Sequence, residues 1–277
     1  MSADPPATSP AAPVDFAALY DRHPDYVARR QFDSFEQAQI DIEVQHLKLP
    51  NLLALLAQSQ VLGSVLEIGC ATGELIAAFP VAAGGRRVGI DISAANVEAA
   101  RTRFPQVEFL CADFRALPSE CFDAVLMSDV LEHVPDDAHF LRDAAARGSM
   151  VLVNLPLEDN WLNRGRRYGP ADISGHLRKY SLRDGLDLFR RAGLSVIAHR
   201  QVWVHETPAE SARRELRARR LGRAYSGAWP LRTLRQCVFA AATAVRPLGR
   251  RLFASNLFVA ARPASTPLSA RGALPWV

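Results

Sequence analysis

The sequence has few cysteines, and their spacing does not suit a metal site. Cys70, Cys111, Cys121 and Cys237 show neither CxxC spacing nor companion histidines at metal-ligand intervals. We therefore expect reduced, mostly buried thiols.

Long apolar runs are also missing. No stretch approaches about 18 uninterrupted apolar residues, which a membrane-spanning helix would need. No basic start precedes an apolar core, so the sequence does not indicate a signal peptide. We expect a cytoplasmic protein. Residues 1–14 combine Pro, Ala and Ser with almost no charge and are predicted to be a disordered tail. Residues 264–277 are predicted to be a C-terminal tail.

The 277 residues, 49% of them hydrophobic, suffice for one large core with an elaboration. Short apolar runs alternate with amphipathic stretches, and this alternation predicts right-handed crossovers and a parallel sheet. The predicted strands lie at 64–68, 87–91, 107–111, 122–127, 150–155, 194–202 and 256–261. The expected fold is α/β: a doubly wound, seven-stranded, mostly parallel sheet with N-terminal helices and a helical insertion before the last strand.

The pattern also predicts how the chain is divided. Residues 15–60 would form a helical lid, in which Pro50 kinks or divides the second helix. Residues 61–263 would form the main domain, with a basic helical insertion at 208–252. Between residues 208 and 251, eleven arginines stand against two glutamates.

Residues 229–252 of this insertion join an apolar stripe to arginines at both ends. A helical cap over the binding site is the favoured interpretation, because amphipathic helices usually face their own protein. The alternative is a helix in a membrane interface, which would make the protein peripheral to a membrane. Few aromatic residues interleave with the arginines, so no nucleic-acid partner is expected.

Acidic residues mark the ends of successive strands. The first run contains EIGCATG at 67–73, whose glycines let the backbone turn sharply before a helix. Asp91 ends the second run, Asp113 follows the third and Asp129 follows the fourth. Ligands bind beyond the carboxyl ends of such strands, and crowded carboxylates call for a cationic ligand. S-adenosylmethionine (SAM) offers a sulfonium, a ribose diol and an ammonium group.

Two other nucleotide ligands fit less well. A dinucleotide site needs GxGxxG, but residue 71 is alanine. A P-loop needs a lysine followed by Ser or Thr, and none follows Gly73.

The segments VLEIGCATG, VGIDIS, CADF and FDAVLMSDVLEHV resemble successive motifs of class I SAM-dependent methyltransferases, a Rossmann-like group. The pattern is nearest to the ubiquinone-pathway O-methyltransferases. The resemblance implies a loop around the methionine part, ribose contacts from Asp91, adenine contacts from the next two motifs, and closure of the site by Ser128. The implied cofactor-binding residues are Glu67, Gly69, Ala71, Gly73, Asp91, Ile92, Asp113, Phe114 and Ser128.

Two histidines are candidates for acceptor-side catalysis. His133 follows the fourth strand and His176 follows the fifth, and imidazole titrates near neutral pH. A base helps when the acceptor is a hydroxyl that must lose its proton. Other residues near His176 in the chain are expected to line the acceptor pocket, namely Tyr168, Arg178, Lys179 and Tyr180.

Asp129, Glu132 and His133 are spaced to share one helix face and could bind a divalent metal. The resemblance implies such an ion through the pattern ExxEH, but here the first residue is the shorter aspartate. A metal-free route is therefore favoured.

Enzymes that methylate base amines or amides carry an Asn/Asp-Pro-Pro-aromatic turn after the fourth strand, where this chain has Ser128-Asp129-Val130. The function expected is methyl transfer from SAM to a small or amphipathic acceptor, at oxygen. The alternatives are a non-catalytic SAM-binding module and a methyltransferase acting on an amine or on RNA.

Overall fold

The computed structural model describes residues 15–22, 24–31, 34–57, 60–169, 172, 174–204, 207–220, 237, 241 and 255–264. The predicted tail 1–14 and nearly all of the predicted C-terminal tail lie outside the described residues. So do residues 229–252 except 237 and 241, so the predicted cap or membrane helix has no structural description.

Seven strands form one sheet in the order β3-β2-β1-β4-β5-β7-β6. β7 runs antiparallel to both of its neighbours, and the other described pairings are parallel. This arrangement confirms the predicted doubly wound α/β fold. The strands are β1 Ser64–Ile68, β2 Arg86–Asp91, β3 Glu108–Cys111, β4 Ala124–Ser128, β5 Val151–Leu157, β6 Leu194–Trp203 and β7 Ser255–Pro263.

Apolar side chains on both faces of the sheet explain why its central strands are short, continuous apolar runs. Val125 and Met127 of β4 pack into one core, while Ala124 and Leu126 pack into the other. Chain order reverses between β1 and β4, which places a crevice at their carboxyl ends.

The described helices cover both faces of this sheet. Between β3 and β4 the chain has only a short 3₁₀ turn, Phe114–Ala116. The α-helices are α1 Phe16–Arg22, α2 Pro24–Arg29, α3 Phe35–Glu43, α4 Leu49–Leu53, α5 Glu74–Ala78, α6 Ala94–Arg103, α7 Asp137–Ala145, α8 Leu182–Arg191 and α9 Pro208–Arg220.

Pro50 divides the second predicted helix by way of a π turn. Proline cannot donate a backbone hydrogen bond, and its ring crowds the carbonyl four residues earlier. The turn Val44–Lys48 precedes it, and the Leu49 N–H bonds to the Val44 carbonyl across five residues. Leu47 and Leu52 are buried in the same core as the sheet, so this part of the predicted lid is packed against the main domain.

The cysteine expectation is half correct. All four thiols are free, but only Cys70 is buried. Cys111 ends the edge strand β3, which leaves it exposed. Among the helices of the described residues, none combines the length and apolar character needed to cross a bilayer.

Candidate active site

One cavity of about 860 Å³ opens at the carboxyl ends of the central strands. It brings together every predicted cofactor, metal and catalytic residue except Glu67, which lies in β1, and Gly73, which ends the loop after β1. Residues of α1, α2, α3 and the π turn also line it, so distant segments of the chain meet there. The predicted residues in its lining are Gly69, Ala71, Asp91, Ile92, Asp113, Phe114, Ser128, Asp129, Glu132, His133 and His176.

The loop after β1 is shaped by left-handed backbone. Gly69, Ala71 and Gly73 have φ values of 75°, 47° and 88°. A Cβ on Gly69 would lie 2.6 Å from the Val130 Cγ2 atom, so a side chain at residue 69 would push this loop away from the turn after β4. Glycine at this position therefore keeps the two loops in close contact.

Asp91 closes this loop with its buried carboxylate. Its Oδ2 accepts the Ala71 N–H at 2.8 Å and its Oδ1 accepts the Ser93 N–H at 2.8 Å. Burial raises the pKa of Asp91 above its usual value, although these backbone donors oppose the rise. The carboxylate is thus held in a fixed orientation at the cavity wall.

The segments after β2 and β3 bring to the cavity apolar side chains and an acid that is already paired. Ile92 is 44% exposed, which leaves its side chain free to cover a planar group. Phe114 is buried and stacks edge-on against Phe140. Asp113 makes a two-point contact with Arg115, with Nε–Oδ1 at 3.0 Å and Nη2–Oδ2 at 2.6 Å, and this pairing lowers the pKa of Asp113.

A polar network fixes the turn after β4. Asp129 has φ 56°, an unusual value for a residue with a side chain. Asn154 donates to the Ser128 hydroxyl at 3.0 Å and to Asp129 Oδ1 at 3.1 Å, and Asn256 supports Asn154 at 2.8 Å. Lys48 from the π turn places Nζ 2.6 Å from Asp129 Oδ2. Asp129, predicted as a metal ligand, therefore pairs with lysine.

His133 is enclosed by aromatic rings. Its ring centroid lies 6.3 Å from that of Phe16, 6.0 Å from that of Tyr20 and 4.7 Å from that of His176. Its Nδ1 lies 3.1 Å from the Gly175 carbonyl, an acceptor, so Nδ1 carries the proton and Nε2 keeps a lone pair. Burial, together with His176, lowers the pKa of His133 to about 4, so the ring is neutral near pH 7.

His176 is oriented by an acid. Its Nδ1 lies 2.6 Å from Glu158 Oε2, and Arg166 holds the other oxygen of Glu158 at 2.6 Å. Arg166 also pairs with Asp172, which ties the loop before His176 together. A donating Nδ1–H leaves Nε2 of His176 as the basic nitrogen.

Glu132 is a buried acid of the cavity whose carboxylate lacks hydrogen bonds from other described residues. It is 1% exposed, and neither carboxylate oxygen has a hydrogen-bond partner in another described residue. Burial, with Asp129 nearby, raises its pKa well above the usual value. One donor atom each from Glu132, His133 and His176 lies within 4.8 Å of the others. Among the described residues, the possible metal ligands thus include His176 and leave out Asp129.

The four residues expected to line the acceptor pocket have other contacts. Tyr180 is buried, and its hydroxyl donates to Asp137 Oδ2 at 2.8 Å and lies 3.1 Å from the Leu131 carbonyl oxygen. Arg178 pairs with Asp137, and Lys179 pairs with Asp159 at the surface. Tyr168 lies under the Arg166 guanidinium. None of the four lies in the lining of the cavity, because nearness to His176 in the chain does not set the direction of a side chain.

Sequence reasoning missed Lys48, Glu158 and Asn154. Glu158 follows the last residue of β5, so extending the search for acids at strand ends by one strand would have found it. Asn154 is a polar residue within a buried apolar strand, which is itself a signal. Lys48 lies two residues before Pro50, and no sequence pattern singles it out as a functional residue.

Residues 40–199 match the family model described as a methyltransferase domain, which is more than half of the chain. The chain belongs to the class I SAM-dependent methyltransferase family. The cofactor of this family is SAM.

Relatives with assigned functions match a shorter segment. Ubiquinone biosynthesis O-methyltransferase of Rhodopseudomonas palustris (strain TIE-1) is 36% identical over 105 residues, which are 35% of this chain and 41% of that protein. Trans-aconitate 2-methyltransferase of Azoarcus sp. (strain BH72) is 32% identical over 101 residues, 34% of this chain and 39% of that protein. The match thus spans about two-fifths of each relative's length.

Solved structures share the fold at low identity. Magnesium protoporphyrin IX methyltransferase from Synechocystis PCC 6803, solved with bound SAM, has a TM-score of 0.52 and 15% identity, covering 92% of this chain and all of that one. The cyclase SpnF has a TM-score of 0.51 and 19% identity, covering 78% of this chain and 80% of that one. These likenesses support the architecture only.

Proposed function

We propose that this protein transfers a methyl group from SAM to an oxygen of a small or amphipathic acceptor, with His176 as the base. The observation that carries the proposal is the Glu158–His176 pair at the cavity wall, 2.6 Å from Nδ1 to Oε2. A carboxylate at Nδ1 sets the tautomer and stabilises the imidazolium that forms when Nε2 takes a proton. Such a base helps when the acceptor is a hydroxyl that must lose its proton.

The cavity suits a cationic cofactor. Its lining includes the acids at or just beyond the ends of β2, β3 and β4, and Glu67 behind it has a buried oxygen without a partner among the described residues. Bound SAM supplies an electrophilic methyl group on a positively charged sulfur. In this proposal the loop from Glu67 to Gly73 holds its methionine part, Asp91 its ribose, Ile92 and Phe114 its adenine face, and Ser128 closes the site.

The protein's own residues align the acceptor and move one proton. Neutral His133 offers the lone pair of Nε2 to a donor group of the acceptor other than the reacting hydroxyl, and so orients the acceptor within the cavity. His176 takes the hydroxyl proton onto its Nε2 as the oxygen–methyl bond forms. Phe16 and Tyr20 cover His133, and in this proposal α1 serves as part of a lid that limits the access of water.

The choice of oxygen has two supports. The turn Ser128-Asp129-Val130 lacks the Asn/Asp-Pro-Pro-aromatic sequence of amine and amide methylation. The Rhodopseudomonas relative is named an O-methyltransferase.

The direct test is to incubate the protein with SAM labelled in the methyl group and a metabolite extract of its host, and to identify the labelled product by mass and fragmentation. We expect a methyl ether of a small molecule. His176→Ala should lose the product while retaining affinity for S-adenosylhomocysteine. Label found only in RNA or protein would contradict the proposal, and so would a methylated amine.

A second candidate is metal-assisted transfer, which the Glu132, His133 and His176 donors favour. Each histidine bonds through Nδ1 to an oxygen, as metal-bound histidines commonly do. A divalent ion held there would lower the pKa of the acceptor hydroxyl.

Chelation separates the two candidates. Protein treated with chelator should keep its rate if His176 is the base. Loss of activity that returns with a divalent ion, together with stoichiometric metal in the purified wild-type protein and its loss in Glu132→Gln, would establish the metal route instead.

A further inference from the structure

Four alternating charges form a chain along the acceptor side of the cavity. Arg213 Nη2 lies 2.7 Å from Glu43 Oε2, Glu43 Oε1 lies 3.9 Å from Lys48 Nζ, and Lys48 Nζ lies 2.6 Å from Asp129 Oδ2. All four residues line the cavity. We call them the ion-pair chain.

The π turn places Lys48 in this chain. Glu43 and Lys48 are five residues apart, the spacing that a π turn brings onto one face, whereas an α-helix aligns residues three or four apart. The Lys48 side chain is only 16% exposed, and the carboxylates of Asp129 and Glu43 hold its pKa above the usual value despite the opposing effect of burial. Lys48 therefore remains an ammonium ion in a mostly buried position.

At one end of the ion-pair chain, Lys48 contacts Asp129, whose backbone is left-handed. Asp129 has left-handed φ, and its side chain is held only by Lys48, Ser128 and Asn154 among the described residues. The same turn continues into Glu132 and His133. Removing a buried cation leaves its partner carboxylate uncompensated, so loss of Lys48 should release this turn.

At the other end lies α9, the described beginning of the basic segment. Arg213 belongs to α9, and a second pair, Arg220–Glu36, also ties α9 to α3. Arg220 lies over the Phe35 ring as well. The position of α9 is thus fixed on the helix that carries Glu43.

We propose that the ion-pair chain couples the position of the basic helix α9 to the catalytic turn after β4, with Lys48 as the positioning residue. An event that displaces α9 would loosen the Glu43–Lys48–Asp129 contacts and move His133 away from its working position. The effect on methyl transfer rests on the proposed function. The coupling between α9 and the turn does not.

Hydrogen exchange of the full-length protein, followed by mass spectrometry on peptides covering residues 128–134, measures the coupling without any acceptor. Lys48→Met should raise exchange of this turn about tenfold, and Arg213→Met and Glu43→Gln about threefold. Arg214→Met is the matched control, because Arg214 pairs with Glu210 within α9 and lies outside the ion-pair chain. It should leave the turn unchanged.

A mutant cycle tests whether Lys48 acts through Asp129. Asp129→Asn keeps a residue that tolerates left-handed backbone, and the double variant with Lys48→Met should exchange no faster than either single variant. Lys48→Arg should restore slow exchange. Affinity for S-adenosylhomocysteine, measured by calorimetry, should change less than about twofold in Arg213→Met.

Two results would overturn the proposal. One is wild-type exchange of residues 128–134 in both Arg213→Met and Glu43→Gln, which remain informative even if Lys48→Met does not fold. The other is additive increases in the mutant cycle. Because no methyl acceptor is used, either failure leaves the proposed O-methylation standing, and a failed acceptor assay leaves the coupling standing.

Discussion

The cofactor side and the acceptor side share one cavity but are held by different kinds of contact. On the cofactor side, Asp91 binds backbone N–H groups of Ala71 and Ser93, and the loop shape follows from its own left-handed residues. On the acceptor side, side chains distant in sequence meet: Lys48 pairs with Asp129, and Phe16 touches His133.

This difference in contacts determines which side of the cavity tolerates substitutions. Contacts to backbone N–H groups and left-handed backbone tolerate few substitutions, so the cofactor side is constrained at the few residues that make them. Side-chain contacts between distant segments can be replaced one pair at a time, so the acceptor side can adopt a new substrate without disturbing the cofactor loop.

The largest expected effect lies on the acceptor side. His176→Ala should lower the rate of methyl transfer about a thousandfold, because a positioned base contributes on that order. Glu158→Gln should lose part of this rate, since it removes the charge opposite the imidazolium. The measurement is single-turnover transfer to the product identified above. His199→Ala, at an exposed position of β6, is the control and should keep the wild-type rate. An unaffected rate in His176→Ala would show that His176 is not the base.

A substitution at a glycine with left-handed backbone should destabilise the cofactor side of the cavity. Gly69→Ala should lower the free energy of unfolding by about 4 kcal/mol, from the left-handed backbone and from crowding of Val130. Gly84→Ala separates the two causes, because Gly84 has φ 74° but nothing within 4 Å of a built Cβ. It should cost about 1 kcal/mol in denaturant unfolding. Equal losses in the two variants would show that the close approach to Val130 is unimportant.

The pH dependence of stability should show whether His133, on the acceptor side, is buried in its neutral form. The pKa of His133 is about 4 in the fold and 6.5 ordinarily, so the unfolded chain binds a proton that the native protein excludes between these values. The free energy of unfolding should therefore fall as pH drops from 6.5 towards 4, by at most about 3 kcal/mol from this group.

His133→Gln should flatten this slope in urea unfolding measured across the pH range. His139→Gln, at an exposed position of α7, should leave the slope unchanged. A slope that survives His133→Gln would show that other groups cause it.

The smallest effect concerns the affinity of the cofactor side. Asp91→Ala should weaken S-adenosylhomocysteine binding about tenfold in calorimetry, since it removes a carboxylate and leaves two N–H groups without their acceptor. Asp123→Ala is matched, because Asp123 also accepts two backbone N–H groups, from Gly63 and Ser64, but at the opposite ends of the strands. Similar losses in both variants would mean that Asp91 acts only through the fold.

The strand pattern and the cofactor motif could be predicted from sequence because both are local. The buried apolar runs of β1, β2, β4 and β5 lie between turns, and the alternation with helices leaves few arrangements other than a doubly wound sheet. The acids at 91, 113 and 129 were expected at one edge because parallel strands end together, and they line one cavity. Their individual roles toward SAM stay predictions.

The tertiary structure decided which side chains meet on the acceptor side. Asp129 was expected beside Glu132 and His133 from helical spacing, but its left-handed backbone turns the chain there and Lys48 takes its carboxylate. His176 joins Glu132 and His133 across more than forty residues. No local rule encodes these contacts, because they depend on how helices and loops pack against the sheet, and packing is set by the shape of the whole core.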